Sequence, residues 1–225
     1  MMGVAKYTVR GSDYVGVYAT ATDSYVFLGS TLKETAKQIF EENLNAKAVE
    51  LTVFGTELVG LFSRANSNGI ILSNMMEEYE LERLRKQQLD INIDVINSGL
   101  NAIGNNILVN DKVAVINKDY GHEDVKRIAD TFGVEVLRAE IGGFKTIGAN
   151  NILTNKGFVI NNRSTDEEKD RFDKLTNFDS VRTTANTGSL SIGLSVVANS
   201  KGAVMGDSTS GYELVRIMEA LGLNE

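Results

Sequence analysis

Hydrophobic and polar positions repeat along this chain with a long period, and that period organises everything else. A β-branched residue followed by glycine occurs at Val15-Gly16, Val59-Gly60, Ile103-Gly104, Ile147-Gly148 and Ile192-Gly193, so the glycines stand 44, 44, 44 and 45 residues apart. In the same register, ten residues after each glycine, a run of three apolar residues begins: Val26-Phe27-Leu28, Ile70-Ile71-Leu72, Ala114-Val115-Ile116, Phe158-Val159-Ile160 and Ala203-Val204-Met205. Between glycine and triplet lies a turn rich in Asn, Asp, Ser and Gly, such as Thr22-Asp23-Ser24 or Asn66-Ser67-Asn68-Gly69. Those residue types tolerate the positive φ of tight hairpins. Each unit is therefore expected to open with a hairpin.

A helix follows. Val125, Ile128, Ala129 and Phe132 recur at the spacing of one helical face, and so do Leu214, Ile217, Met218 and Leu221. Leu32, Ala36, Ile39 and Phe40 do the same in the first unit; the second and fourth helices are more polar, around Leu81 and Leu84, and Phe172 and Leu175. Ser164, Thr165 and Asp166 ahead of Glu167 and Glu168 read as an N-cap with acids in the first turn. A third strand is predicted after most helices, over 48–54, 91–96, 134–141 and 179–187. The fifth unit lacks one, while the N-terminus carries a spare strand over 4–9. Val9 lies seven residues before Gly16, as Val53 does before Gly60 and Ile141 before Gly148. One missing strand and one spare strand predict a closed ring of five ββαβ units, which limits exposed sheet edges. The chain, 1–225, is expected to be a single α/β domain of five repeats of about 44 residues with pseudo-fivefold symmetry.

Composition narrows the function. The chain has 42% hydrophobic and 24% charged residues and a net charge of −7, which disfavours a nucleic-acid binder held by phosphate attraction. No apolar run approaches the ~18 residues that span a bilayer, and residues 1–9 do not read as a signal peptide. A cytoplasmic protein is expected. Cysteine is absent, which excludes thiol nucleophiles and Cys-ligated metal, and a single histidine, His122, excludes a multi-His site. Proline is absent too, where average usage of ~5% predicts roughly ten.

The repeats carry more specific strings: Ala102-Ile103-Gly104-Asn105, Val196 to Val204, Gly206-Asp207-Ser208-Thr209-Ser210-Gly211-Tyr212-Glu213-Leu214 and Glu219-Ala220-Leu221-Gly222-Leu223. In this set, in order and in register from about Tyr14 to Leu223, the chain resembles the archaeal and eukaryotic translation initiation factor 6 family, the ribosome anti-association factors. The resemblance implies the pentein fold, a five-bladed α/β propeller, and a non-enzymatic role. It implies docking on the large ribosomal subunit, mainly to ribosomal proteins near the sarcin–ricin loop, and steric exclusion of the small subunit. It implies neither cofactor nor metal, and no DNA or membrane partner; a monomer is expected. Ser73, Lys118, Asn162 and Tyr212 stand where the family usually has proline. A second reading, a pentein scaffold or redesigned variant without ribosome affinity, therefore stays open.

Candidate chemistry is sparse. Pentein relatives that modify guanidines use a Cys nucleophile, absent here, and His122 at a helix start has no nucleophile to serve; no catalytic residue is expected. Asp207 to Gly211 reads as an anion cradle or a plain capping loop. The acidic runs Glu77-Glu78-Tyr79-Glu80 and Asp166-Glu167-Glu168 read as solvated helix starts. Asn105, Asn106, Asn150 and Asn151 are expected on the first strands of units three and four, and Asn66 in a hairpin turn. They read as turn and strand polarity, or as polar contacts gathered on one end of the propeller. Asn66 and Asn105 match positions that the family keeps on its ribosome-facing side. The expected docking set is Leu61, Asn66, Asn105, Asn106 and Asn150, with Leu61 where eukaryotic members carry Arg.

Overall fold

A computed structural model describes residues 3–224 of the chain. Met1, Met2 and Glu225 lie outside the described residues. The first unit contains β2 (Ala19–Ala21), β3 (Tyr25–Gly29), α1 (Glu34–Leu44) and β4 (Lys47–Leu51), after β1 (Gly3–Tyr7) at the start of the chain. The second has α2 (Val59–Phe62), β5 (Ser63–Ala65), β6 (Gly69–Ser73), α3 (Glu78–Arg85) and β7 (Asn92–Ile96). The third has α4 (Ile103–Asn106), β8 (Ile107–Val109), β9 (Val113–Asn117), α5 (His122–Phe132) and β10 (Glu135–Ala139). The fourth has α6 (Ile147–Asn150), β11 (Ile152–Leu153), β12 (Phe158–Asn161), α7 (Asp166–Thr176) and β13 (Val181–Thr183). The fifth has α8 (Ile192–Ser195), β14 (Val196–Ala198), β15 (Gly202–Gly206) and α9 (Gly211–Ala220).

These strands form five three-stranded sheets among the described residues. In each, a hairpin pairs an inner strand antiparallel with a middle strand, and in the first four an outer strand joins the middle one in parallel after a helical crossover, as parallel pairing requires. The fifth sheet takes its outer strand from the other end of the chain. β1 pairs in parallel with β15, Gly3 opposite Gly202 through Tyr7 opposite Gly206, as β4 pairs with β3. The spare strand fills the slot the sequence predicts.

The apolar triplets are continuous because the middle strands are buried on both faces. Along them, alternate residues enter different cores. Val26 and Leu28 pack in the core under α1, whereas Phe27 packs in the next core with Ile70 and Leu72. Ile71 passes on to the third core, Val115 to the fourth, Val159 to the fifth, and Val204 returns to the first. The two-residue period of a strand thus joins each blade to its neighbour and closes the ring.

The repeat glycines need their missing side chain. A Cβ on Gly60 would strike the Gly16 carbonyl; on Gly104, that of Gly60; on Gly148, that of Gly104; on Gly193, that of Gly148; and on Gly16, that of Gly193. Each blade presses its backbone against the next around a closed circle. Asn105, Asn106, Asn150 and Asn151, expected on first strands, lie outside them: the first three share the helical turns of these glycines, and Asn151 is the C-cap of α6. The glycines themselves lie in one-turn helical segments, Val15–Val17 in the first unit and α2, α4, α6 and α8 in the others.

Candidate docking surface at the two rims of the channel

The inner strands surround a narrow central channel that holds a cavity of only about 40 Å³, lined by residues of every blade, including Ala21, Ala65, Val109, Leu153 and Ala198, and plugged toward the repeat glycines by Arg64. Arg64 lies within it. Its Nη2 donates to the Gly104 carbonyl and, at 3.3 Å, to that of Gly148, while Nε is buried without a partner. Burial pushes its guanidinium down to about 10. The channel has two different ends. One carries the glycine circle and the helix starts; the other carries the hairpin turns and the helix ends.

The expected docking residues divide between these ends. Leu61 and Asn105 directly follow Gly60 and Gly104, so they hold the same position in adjacent blades, and both are partly exposed. Val17 and Leu194 are their counterparts, also partly exposed, and Ala149 is the buried one. Asn105 Oδ1 has no hydrogen-bond donor. Tyr14 and Phe54, in the segments leading into the first two glycine turns, are 41% and 56% exposed. The glycine rim is therefore largely apolar, with one amide set into it.

Asn66 is at the opposite rim, beyond the three residues of β5, roughly 10 Å of extended chain. It is 3% exposed, and its amide is fully used. Oδ1 accepts from the N–H groups of Asn68 and Gly69 at 3.0 and 3.1 Å, and Nδ2 donates to the Asn110 and Phe132 carbonyls at 3.2 and 2.9 Å. An amide offers two donors and two acceptor sites, so nothing remains for a partner. Asn199 makes the same set of bonds, ending on the Thr22 and Leu44 carbonyls of the first blade. These asparagines fasten a hairpin to the next blade and cap its helix end.

Asn106 and Asn150 are near the glycine rim but face inward, at 5% and 4% exposure. Asn106 donates to the Ala102 carbonyl and accepts from Asn117 Nδ2 at 2.7 Å; Asn150 accepts from Thr146 Oγ1 and donates to the Leu190 carbonyl at 3.0 Å. Of the five expected docking residues, the structure brings together Leu61 and Asn105 at an accessible rim. The other three serve internal bonding, because a buried amide must spend its hydrogen bonds inside.

The hairpin rim is polar. Asp111 accepts from Ser67 N and Oγ at 2.8 and 2.7 Å, Asp23 does the same for Ser200 at 2.8 and 2.9 Å, and Asn155 Nδ2 reaches both carboxylates at 2.6 and 3.0 Å. His122 is exposed at the first position of α5. Ser210 caps α9, Thr209 bonds Asn186 and Ser208 bonds Asp13, so Asp207 to Gly211 is a capping loop. Among the described residues no group of three or more His, Cys, Asp or Glu is placed to hold a metal ion, and no helix is long and apolar enough to cross a membrane.

Three helix starts carry a hydrogen-bonded carboxylate that was not expected from the sequence, buried at Glu80 and Glu213 and half-buried at Glu168. Glu80 accepts from the N–H groups of Phe54, Gly55 and Glu77, each at 2.9 Å. Glu168 accepts from Gly142 N and Thr165 N, and Glu213 from Thr187 N, Gly188 N and Ser210 N. Burial raises the Glu213 carboxyl, but hydrogen bonds from Thr184, Ser210 and Gly188 outweigh it and hold the group at about 2. Glu80 is lowered in the same balance. The available signal was an acid three residues after the N-caps of α3, α7 and α9, 26 residues after Phe54, Gly142 and Thr187 in the same kind of turn.

A model of the eIF-6 family matches residues 4–220. Translation initiation factor 6 of Thermococcus onnurineus is 36% identical, covering 98% of this chain and 99% of that protein. The factor of the same name from Methanocaldococcus jannaschii is 36% identical over 99% of both chains, and that of Pyrococcus horikoshii 34% over 98% and 99%. With five like blades, a circle of close-packed glycines and this match over nearly its whole length, the chain belongs to the eIF-6 family, whose pentein fold it has.

Proposed function

We propose that this protein acts in translation initiation by binding the large ribosomal subunit and holding off the small one, without catalysis. The name shared by its relatives supports the initiation role. The observation that carries the docking reading is the glycine rim. Leu61 and Asn105 lie there on adjacent blades, and Asn105 has an acceptor with no donor. Buried acceptors without partners are uncommon, and a partner's N–H after a small side-chain rotation would satisfy this one. The mechanism is steric. A ring cross-linked through five cores is a stiff disk, and a disk seated on intersubunit surface leaves no room for the second subunit. A net charge of −7 suits basic ribosomal proteins as the contact. Such a role places the protein in the cytoplasm.

The test is subunit joining followed by sedimentation. The wild type suppresses the joined peak. Leu61→Asp with Asn105→Ser weakens suppression by about tenfold, the combined loss of an apolar contact and a hydrogen bond, with no change in melting temperature. Equal suppression by both proteins rules out this rim. A wild type that does not bind large subunits leaves only the scaffold reading.

A further inference from the structure

The carboxylate seats described above are filled in three blades and vacant in one. In the second, fourth and fifth blades, a turn with left-handed residues precedes the glycine segment: Phe54 and Gly55 at φ 54° and 67°, Gly142 and Gly143 at 60° and 77°, and Asn186 to Gly188 at 47° to 103°. The N–H groups of each turn converge with that of the following helix's N-cap on one glutamate from the same blade, Glu80, Glu168 or Glu213. The third blade has neither part: no residue from Asn97 to Asn101 has positive φ, and Asp124, in the equivalent helix position, makes no such bond. Turn and carboxylate occur together or not at all, except in the first blade.

There the turn is complete. Val9 and Ser12 are bridged, with Arg10 at φ 50° and Gly11 at 77°. The glutamate is missing. Lys33 is the N-cap of α1, so the place of Glu80 falls to Ala36. Within the chain the N–H groups of Arg10, Gly11 and Lys33 have no acceptor among the described residues. In place of a side chain there is a cavity of about 620 Å³, lined by Tyr7, Arg10, Gly11, Leu32, Lys33 and Ala36, among others. Arg10 is paired with Glu57, so its charge is spent, whereas Lys33 is exposed and makes no ion pair among the described residues.

We propose that this cavity binds a carboxylate from outside the chain, an acidic side chain of a peptide segment of a partner protein, held by the backbone N–H groups of Arg10, Gly11 and Lys33. The chemical class follows from the three internal comparisons: the same convergence of N–H groups holds a carboxylate each time it is filled. The peptide source follows from the size and lining of the cavity, which is larger than a small carboxylate and offers Tyr7, Leu32 and the Ala36 methyl beside the polar seat. The occupant brings the carboxylate that Ala36 withholds.

The experiment is an amide NMR titration of the isolated protein, so its result is independent of ribosome docking. The probes are acetate, a blocked tetrapeptide with one glutamate, and its glutamine counterpart, all against chloride at equal ionic strength. Acetate and the glutamate peptide are expected to move the Arg10 and Gly11 amides saturably. The peptide should bind at least about tenfold more tightly than acetate, and the glutamine peptide should do nothing. Ala36→Glu fills the seat from within: its Arg10 and Gly11 amides start in the bound position and no longer respond. Glu80→Ala supplies the converse, a new acetate response at Phe54 and Gly55. Acetate binding as tightly as the peptide assigns the seat to free small carboxylates and overturns the peptide source. Amides that ignore every carboxylate, or that respond equally in Ala36→Glu, overturn the site.

Discussion

Glu213 shows how much one residue can carry in this fold. It is 4% exposed, yet it stays ionised because the N–H groups of a strained turn and of a helix cap all point at it. A carboxyl held at about 2 against an ordinary value near 4.3 corresponds to about 3 kcal/mol. Its folded value is depressed, so the stabilisation is present above the unfolded value and is lost as pH falls from about 5 toward 2. Glu213→Gln should lose on the order of 3 kcal/mol at pH 7 and show a flatter decline on acidification, measured by denaturant unfolding from pH 7 to 2.5. A variant with the wild-type pH dependence would remove this account. The role of these glutamates was not legible. Glu77 to Glu80 looked like a solvated acidic run, and Glu80 is 2% exposed; only the fold brings the preceding turn over the helix start and buries the acid.

At the scale of the element, the asparagine hairpins are the least obvious joints. A turn asparagine and a surface asparagine have the same signature in sequence, which is why Asn66 read as a docking residue. In the structure it ties β5 to the next blade and to the end of α5. Asn66→Ala leaves the N–H groups of Asn68 and Gly69 and the Asn110 carbonyl without this partner, while the Phe132 carbonyl keeps Asn68 Nδ2 at 2.7 Å, and should cost about 2–4 kcal/mol. Its melting temperature falls, and whatever binding remains per folded molecule equals that of the wild type. A variant that melts normally but fails to bind would return Asn66 to the docking surface. The helices and middle strands were legible because they bury long runs with a clear period. The glycine turns were not, since one helical turn is too short to show a period. Asn105 and Asn106 therefore looked like strand residues, although they lie in α4.

At the scale of the whole molecule, the ring was legible because steric contact leaves only glycine at five equivalent places, and because a spare strand matched a missing one. The partition of docking residues between two rims was not, since it depends on which way three-residue strands run through the channel. Closure rests on β1 lying on β15 and on Val204 reaching the core of the first blade. Deleting residues 1–9 should lower the melting temperature by roughly 10 °C or more, and a truncated chain that melts like the intact one would contradict closure. The same pairing has a consequence for folding. The first strand of the described residues waits for the last one, Gly202–Gly206, and pairing across that separation is slow compared with local folding. The early blades can form first, and β1 can rest against α1, but it has no sheet partner until β15 is available, about 200 residues further along the chain. Ring closure is therefore expected to be the last and slowest step of folding, since it must bring together the two strands most distant in sequence.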